Sequence, residues 1–94
     1  MSDKQAYEKK LEAQIDEWNA EIDKLKAQAK KASADAEADY EKEIDKLESR
    51  RDDMKDKLEE LKSASEDAWK DVKDGVESAW SSMSDAVSSA ASRF

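Results

Sequence analysis

The chain has 94 residues, 17 basic and 25 acidic side chains and a formal net charge of −8, with no cysteine, histidine or proline and one glycine. These numbers exclude a disulfide framework, a cysteine nucleophile, a histidine base and any zinc site with cysteine or histidine ligands. The acidic balance also opposes contact with phosphate backbones, so no nucleic-acid partner is expected.

Alanine, glutamate, lysine, leucine and arginine fill 49 of the 94 positions, a composition typical of long helices and coiled coils. Of the 35 hydrophobic residues 15 are alanine, which leaves 20 larger apolar side chains. Ordering a chain costs about 1.5 kcal/mol per residue, and so few large side chains offset that poorly within one copy. A single domain is expected at this length, with the apolar surface shared between chains, hence a homo-oligomer. Residues Met1 to Gln5 are followed by no apolar run, and no stretch approaches the ~20 apolar residues of a membrane span. The expected location is cytoplasmic, with peripheral contact at a membrane as a variant.

In chain order, the first segment runs to residue 62 and reads as a charged, coiled-coil-like rod. Its large residues fall at Tyr7, Leu11, Ile15, Trp18, Ile22 and Leu25, then at Tyr40, Ile44 and Leu47, and then at Met54, Leu58 and Leu61. Ala29, Ala32 and Ala36 carry the series through the middle, and Arg51 interrupts it. Spacings of three and four place these positions on one helical face, so the large residues are expected at a helix interface. The remaining faces carry candidate i,i+3 pairs: Glu21/Lys24, Asp23/Lys26, Asp39/Lys42, Glu43/Lys46, Asp52/Lys55 and Glu59/Lys62.

Residues 63–94 form a second, serine-rich amphipathic segment in which Trp69, Val72, Val76, Trp80, Met83, Val87 and Phe94 continue the same stripe. At 100° per residue every large side chain from Tyr7 to Phe94 lies within a sector of about 100°. From Leu11 to Phe94 the stripe takes 23 steps over 83 residues, an average of 3.61. That value predicts little supercoiling, and an unbroken helix would be about 140 Å long.

The expected fold is therefore all-α: a long amphipathic helix or helices forming an elongated coiled coil or helical bundle. The alternative is a three-helix bundle with turns near 32–35 and 62–65. Ser33 or Asp35 could cap a new helix, and Ser63 with Glu66 has capping-box spacing. Against a break near Ser33 stand the alanine-rich surroundings and the preserved phase of the stripe, which favour continuity.

The C-terminal segment contains tandem copies, EDAWKDVKDGV at 66–76 and ESAWSSMSDAV at 77–87, which match at Glu66/Glu77, Ala68/Ala79, Trp69/Trp80, Asp74/Asp85 and Val76/Val87. Eleven residues make about three turns, so both copies present the same face. These copies resemble the 11-residue amphipathic repeats of group 3 late embryogenesis abundant proteins and exchangeable apolipoproteins. That resemblance implies binding to lipid surfaces or protection during dehydration. The motifs Asp67-Ala68-Trp69, Val76-Glu77-Ser78-Ala79-Trp80 and Arg93-Phe94 also give nearly the whole chain a similarity to a family of small uncharacterised bacterial coiled-coil proteins, which brings no activity with it.

Within 66–94, bulky apolar residues opposite serines suit either a bundle seam, a protein partner or a membrane surface of low charge. The seven large residues from Trp69 to Phe94 are accordingly the candidate partner- or membrane-binding set. Acid–base chemistry would rest on Asp52, Asp53, Asp56, Glu59 and Glu60, which lie on a solvated stretch with no means of burial. No glycine-centred calcium loop or phosphate loop is present. The sequence thus predicts no enzyme, cofactor or metal site. It predicts a structural or protein-interaction protein that self-associates through one apolar stripe. The alternatives are a peripheral membrane or stress-protective helix protein and a disordered chain that folds on binding.

Overall fold

In a computed structural model that describes residues 2–94, the chain forms three helices: α1 (Asp3–Lys30), α2 (Ala34–Ser63) and α3 (Trp69–Arg93). The all-α expectation holds in its three-helix form. α1 opens with a capping box in which the Gln5 N–H donates to Ser2 Oγ and the Ser2 N–H donates to Gln5 Oε1, both at 3.2 Å. It closes with short-range bonds from the Lys31 N–H to the Gln28 carbonyl and from the Ala32 N–H to the Ala29 carbonyl.

The continuity expected across Ser33 is not found. Ser33 is extended (φ −65°, ψ 162°), and its Oγ accepts the Ala36 N–H at 3.4 Å. Breaking the helix there lets its own stripe fold back on itself. That burial outweighs the few helical bonds and the alanine propensity surrendered at the bend.

At the second connection Ala64 is extended (ψ 146°), while Ser63 remains the last residue of α2. The role expected of Ser63 falls to Ser65, which caps the turn that leads into α3, while the α3 N-cap itself, Ala68, has no side-chain cap. Ser65 Oγ accepts the Ala68 N–H at 3.1 Å and the Ser65 carbonyl accepts the Trp69 N–H at 3.0 Å. Glu66 and Asp67 then lead into α3, where negative charge favours a helix start.

Contacts between the helix ends define an up-down-up arrangement. Lys62 Nζ lies 2.9 Å from Glu12 Oε1, and Lys4 Nζ donates to the Lys62 carbonyl at 3.2 Å, which joins the end of α2 to the start of α1. Arg93 Nη1 lies 3.2 Å from Glu43 Oε1, which joins the end of α3 to the start of α2. The molecule measures 51 × 19 × 19 Å.

The core is the stripe. Leu11, Ile15, Trp18, Ile22 and Leu25 of α1 and Ile44, Leu47, Met54, Leu58 and Leu61 of α2 are buried, and Tyr7 and Tyr40 pack against them half-buried. Ala86, which the large-residue pattern passes over, is also buried. Among the described residues no polar or charged residue is buried. Arg51, the interruption in the stripe, sits at the edge of the α1–α2 seam and donates to Asn19 Oδ1 at 3.1 Å. Charges assigned by sequence to neighbours on the same helix instead cross between helices. Lys26 pairs with Glu48 at 3.1 Å, Lys62 with Glu12 and Glu43 with Arg93.

Candidate interaction surface

α1 and α3 run parallel, and aromatic side chains fill the seam between them. Tyr7 meets Trp69 with ring centroids 6.1 Å apart, and Trp18 meets Trp80 edge to face at 5.8 Å. Tyr7 and Trp18 are separated by 11 residues, as are Trp69 and Trp80. Two parallel helices with the same aromatic spacing meet in register, and the tandem copies in α3 thereby acquire a packing role. The matching 11-residue interval in α1 is the sequence signal that would have found these pairs. A third pair, Tyr40 with Phe94, stacks at 4.0 Å where α2 begins and α3 ends.

Lysines cover the rim of the seam. Lys73 Nζ lies 5.2 Å from the Tyr7 centroid and 5.7 Å from that of Trp69, and Lys10 Nζ lies 5.8 Å from Trp80. Contacts of this kind contribute about 0.5–1 kcal/mol at exposed sites. The Tyr7 hydroxyl titrates above its ordinary value, chiefly because burial disfavours the phenolate and secondarily because the Glu77 carboxylate lies nearby. Lys62 also titrates above its ordinary value, held in the charged form by its hydrogen bond to Glu12 and by that carboxylate's charge.

Towards the C-terminal end of the seam lies a cleft of about 170 Å³ between α1 and α3, floored by Leu25, Leu47, Val87 and Ala90 and rimmed by Glu21, Lys24, Gln28 and Phe94. The seven candidate binding residues divide sharply by position. Trp69, Val76 and Met83 are buried in the core; Val72, Trp80 and Val87 are half-buried; and Phe94, at 38%, is exposed. The amphipathic face of α3 is therefore turned mainly towards the other two helices. Its outer face carries Ser81, Ser84, Ser88, Ser89 and Ser92, all exposed.

Polar contacts fasten α3 to α2. The Arg50 guanidinium donates to Ser82 Oγ, and Arg93 holds one oxygen of Glu43, whose second oxygen is buried without a hydrogen-bond partner. Asp52, Asp53, Asp56, Glu59 and Glu60 are exposed, with Asp52 bound by Arg51 and Glu60 by Lys57. Among the described residues no three acidic side chains converge as a metal site, and no helix is long and apolar enough to cross a membrane. In comparisons with known proteins, the chain matches no family model, no curated protein and no solved structure.

Proposed function

We propose that the protein is a non-enzymatic structural and interaction protein that self-associates through its apolar stripe. The observation that carries this reading is that one stripe, in one helical phase, supplies the cores of all three helices. A helix from a second copy presents the same surface as the helix it would replace, so closed and assembled forms draw on the same contacts. The exposed carboxylates of Asp52, Asp53, Asp56, Glu59 and Glu60 suit a role in assembly, and the location proposed for it is cytoplasmic. Sedimentation velocity across micromolar to millimolar concentration tests the reading. A monomer–dimer equilibrium is expected, and a monomer at every concentration overturns it.

A second reading, peripheral contact with a membrane of low charge, is favoured by one feature. α3 is the most amphipathic of the three helices, with serines on its outer face and an exposed Phe94 at its end. Its binding face is occupied in the closed bundle, so insertion requires α3 to leave. Tryptophan emission that stays unchanged on adding small neutral vesicles would remove this reading.

A further inference from the structure

The connection at Lys31–Ser33 is built from residues that equally well continue a helix. It contains no glycine or proline, and no described residue of the chain has positive φ. Lys31 keeps helical angles (φ −97°, ψ −6°), so α1 ends without the left-handed stop that commonly terminates helices. The bend is held by Ser33, whose hydroxyl accepts a long bond of 3.4 Å from the Ala36 N–H and whose carbonyl accepts the Glu37 N–H at 2.8 Å. Unlike Ser2, Ser33 has no reciprocal partner, because alanine stands three residues on. At the second connection Ser65 makes the same two kinds of bond, with a shorter hydroxyl contact of 3.1 Å to the Ala68 N–H and its carbonyl accepting the Trp69 N–H at 3.0 Å.

A true turn frees the following helix to place its apolar face at any angle. Here no change of phase occurs. Ala29 and Ala36 carry the stripe from Leu25 to Tyr40 within the apolar sector, and Ala32 stands about 20° beyond its edge. Straightening three residues would give one helix from Asp3 to Ser63, about 90 Å long, with a single continuous apolar face. That face cannot be buried by one copy alone.

We infer that the bundle is the closed form of an arm-exchanged dimer, in which Lys31–Ser33 straightens and α1 of each copy docks on α2 and α3 of a second copy of this chain. The inference rests on the self-association proposed above and specifies its geometry. Two straightened helices lie antiparallel, each α3 stays folded against its own α2, and the closed-form pairs re-form between copies. Lys26 meets Glu48 and Trp18 meets Trp80 as before, now across the dimer. Around the two-fold axis lie the alanines, small enough for close helix approach. Exchange of an identical element needs no new interface chemistry, and short hinges favour it.

Two hinge variants and an isotope mixture test the inference. Ala34 is the first residue of α2, and Ser33 before it is already extended, as a residue preceding proline must be. Ala34→Pro therefore folds as the closed monomer, verified by circular dichroism, but blocks a continuous helix. It should raise the dimer dissociation constant by more than about 100-fold per hinge. Ser33→Ala removes the cap of the closed form and should lower that constant about fivefold per hinge. Light and ¹⁵N-labelled chains refolded together and coupled with a zero-length carbodiimide should yield Lys26–Glu48 links between light and heavy copies. A dimer that persists in Ala34→Pro, with these links confined to one chain, overturns arm exchange and leaves self-association standing. A chain that stays monomeric to millimolar concentration even as Ser33→Ala overturns both.

Discussion

Trp18 of α1 meets Trp80 of α3 edge to face, with ring centroids 5.8 Å apart, and the two residues differ in burial: Trp18 is 3% exposed and Trp80 is half-buried. The pair thus joins the centre of the core to the rim of the seam. Trp18→Ala should cost about 3–5 kcal/mol and Trp80→Ala about half as much. A double-mutant cycle from urea unfolding should give a coupling of about 0.5–1.5 kcal/mol between them. Strictly additive effects would show that the two rings do not meet in solution.

The start of α3 separates two serines that look alike in sequence. Ser65 accepts the Ala68 N–H, whereas Ser63 closes α2 and caps nothing. Ser65→Ala should destabilise the fold by about 1 kcal/mol, and Ser63→Ala should stay within about 0.5 kcal/mol. Thermal unfolding of the two variants side by side decides the assignment; equal losses would contradict it.

Gly75 occupies a helical position for which a Cβ has room. An added methyl would stand 3.7 Å from Lys57 Nζ and 3.9 Å from its Cε, ordinary contacts with a flexible side chain. Gly75→Ala should therefore stabilise the bundle by about 1 kcal/mol, mainly by restricting the unfolded chain and favouring helix. A lower midpoint in urea would reveal a closer approach of α2 to α3 than the structure shows.

Alkaline pH should weaken the fold through Tyr7 and Lys62. Both groups hold their protons more tightly when folded than when unfolded, Tyr7 relative to 10.0 and Lys62 relative to 10.5. For a raised pKa the stabilising effect is complete below the unfolded value. It is lost as pH climbs through the folded value, so stability falls above about pH 10. Tyr7→Phe and Lys62→Met should each flatten that fall, measured as the change in urea midpoint from pH 8 upwards. Parallel curves for wild type and variants would exclude both groups as its source.

The sequence revealed the helices and their inward faces because the stripe Leu11, Ile15, Trp18, Ile22 and Leu25 repeats with the period of a helix, as does Ile44, Leu47, Met54, Leu58 and Leu61. The bend at Ser33 was hidden for a physical reason. Alanine propensity and preserved phase are local properties that describe a straight and a folded chain equally well. The choice is made by burial between residues far apart in sequence, such as Leu11 and Leu61, both fully buried. Ion pairing misled in the same way. Asp23 stands three residues before Lys26 on one helix, yet Lys26 reaches Glu48 across the seam. At the candidate surface, the residues of the aromatic seam were legible as a set, while their pairing required knowing that α1 and α3 run parallel. The polar fasteners Arg50 and Asn19 carry no spacing signal, because their partners lie 32 residues away.

The three seams of the bundle are made of different chemistry, and this gives them separate responses to solvent. α1 is tied to α2 by exposed lysine–glutamate pairs, Lys26–Glu48 and Lys62–Glu12, whereas α1 meets α3 through rings. Raising the ionic strength screens those rim pairs and leaves the buried apolar contacts of both seams almost untouched. Alcohols, which solvate apolar side chains and strengthen helical hydrogen bonds, weaken the packing of both seams. Salt thus removes only the ionic trim of one edge, whereas alcohol loosens the packing between helices and leaves the helices themselves intact.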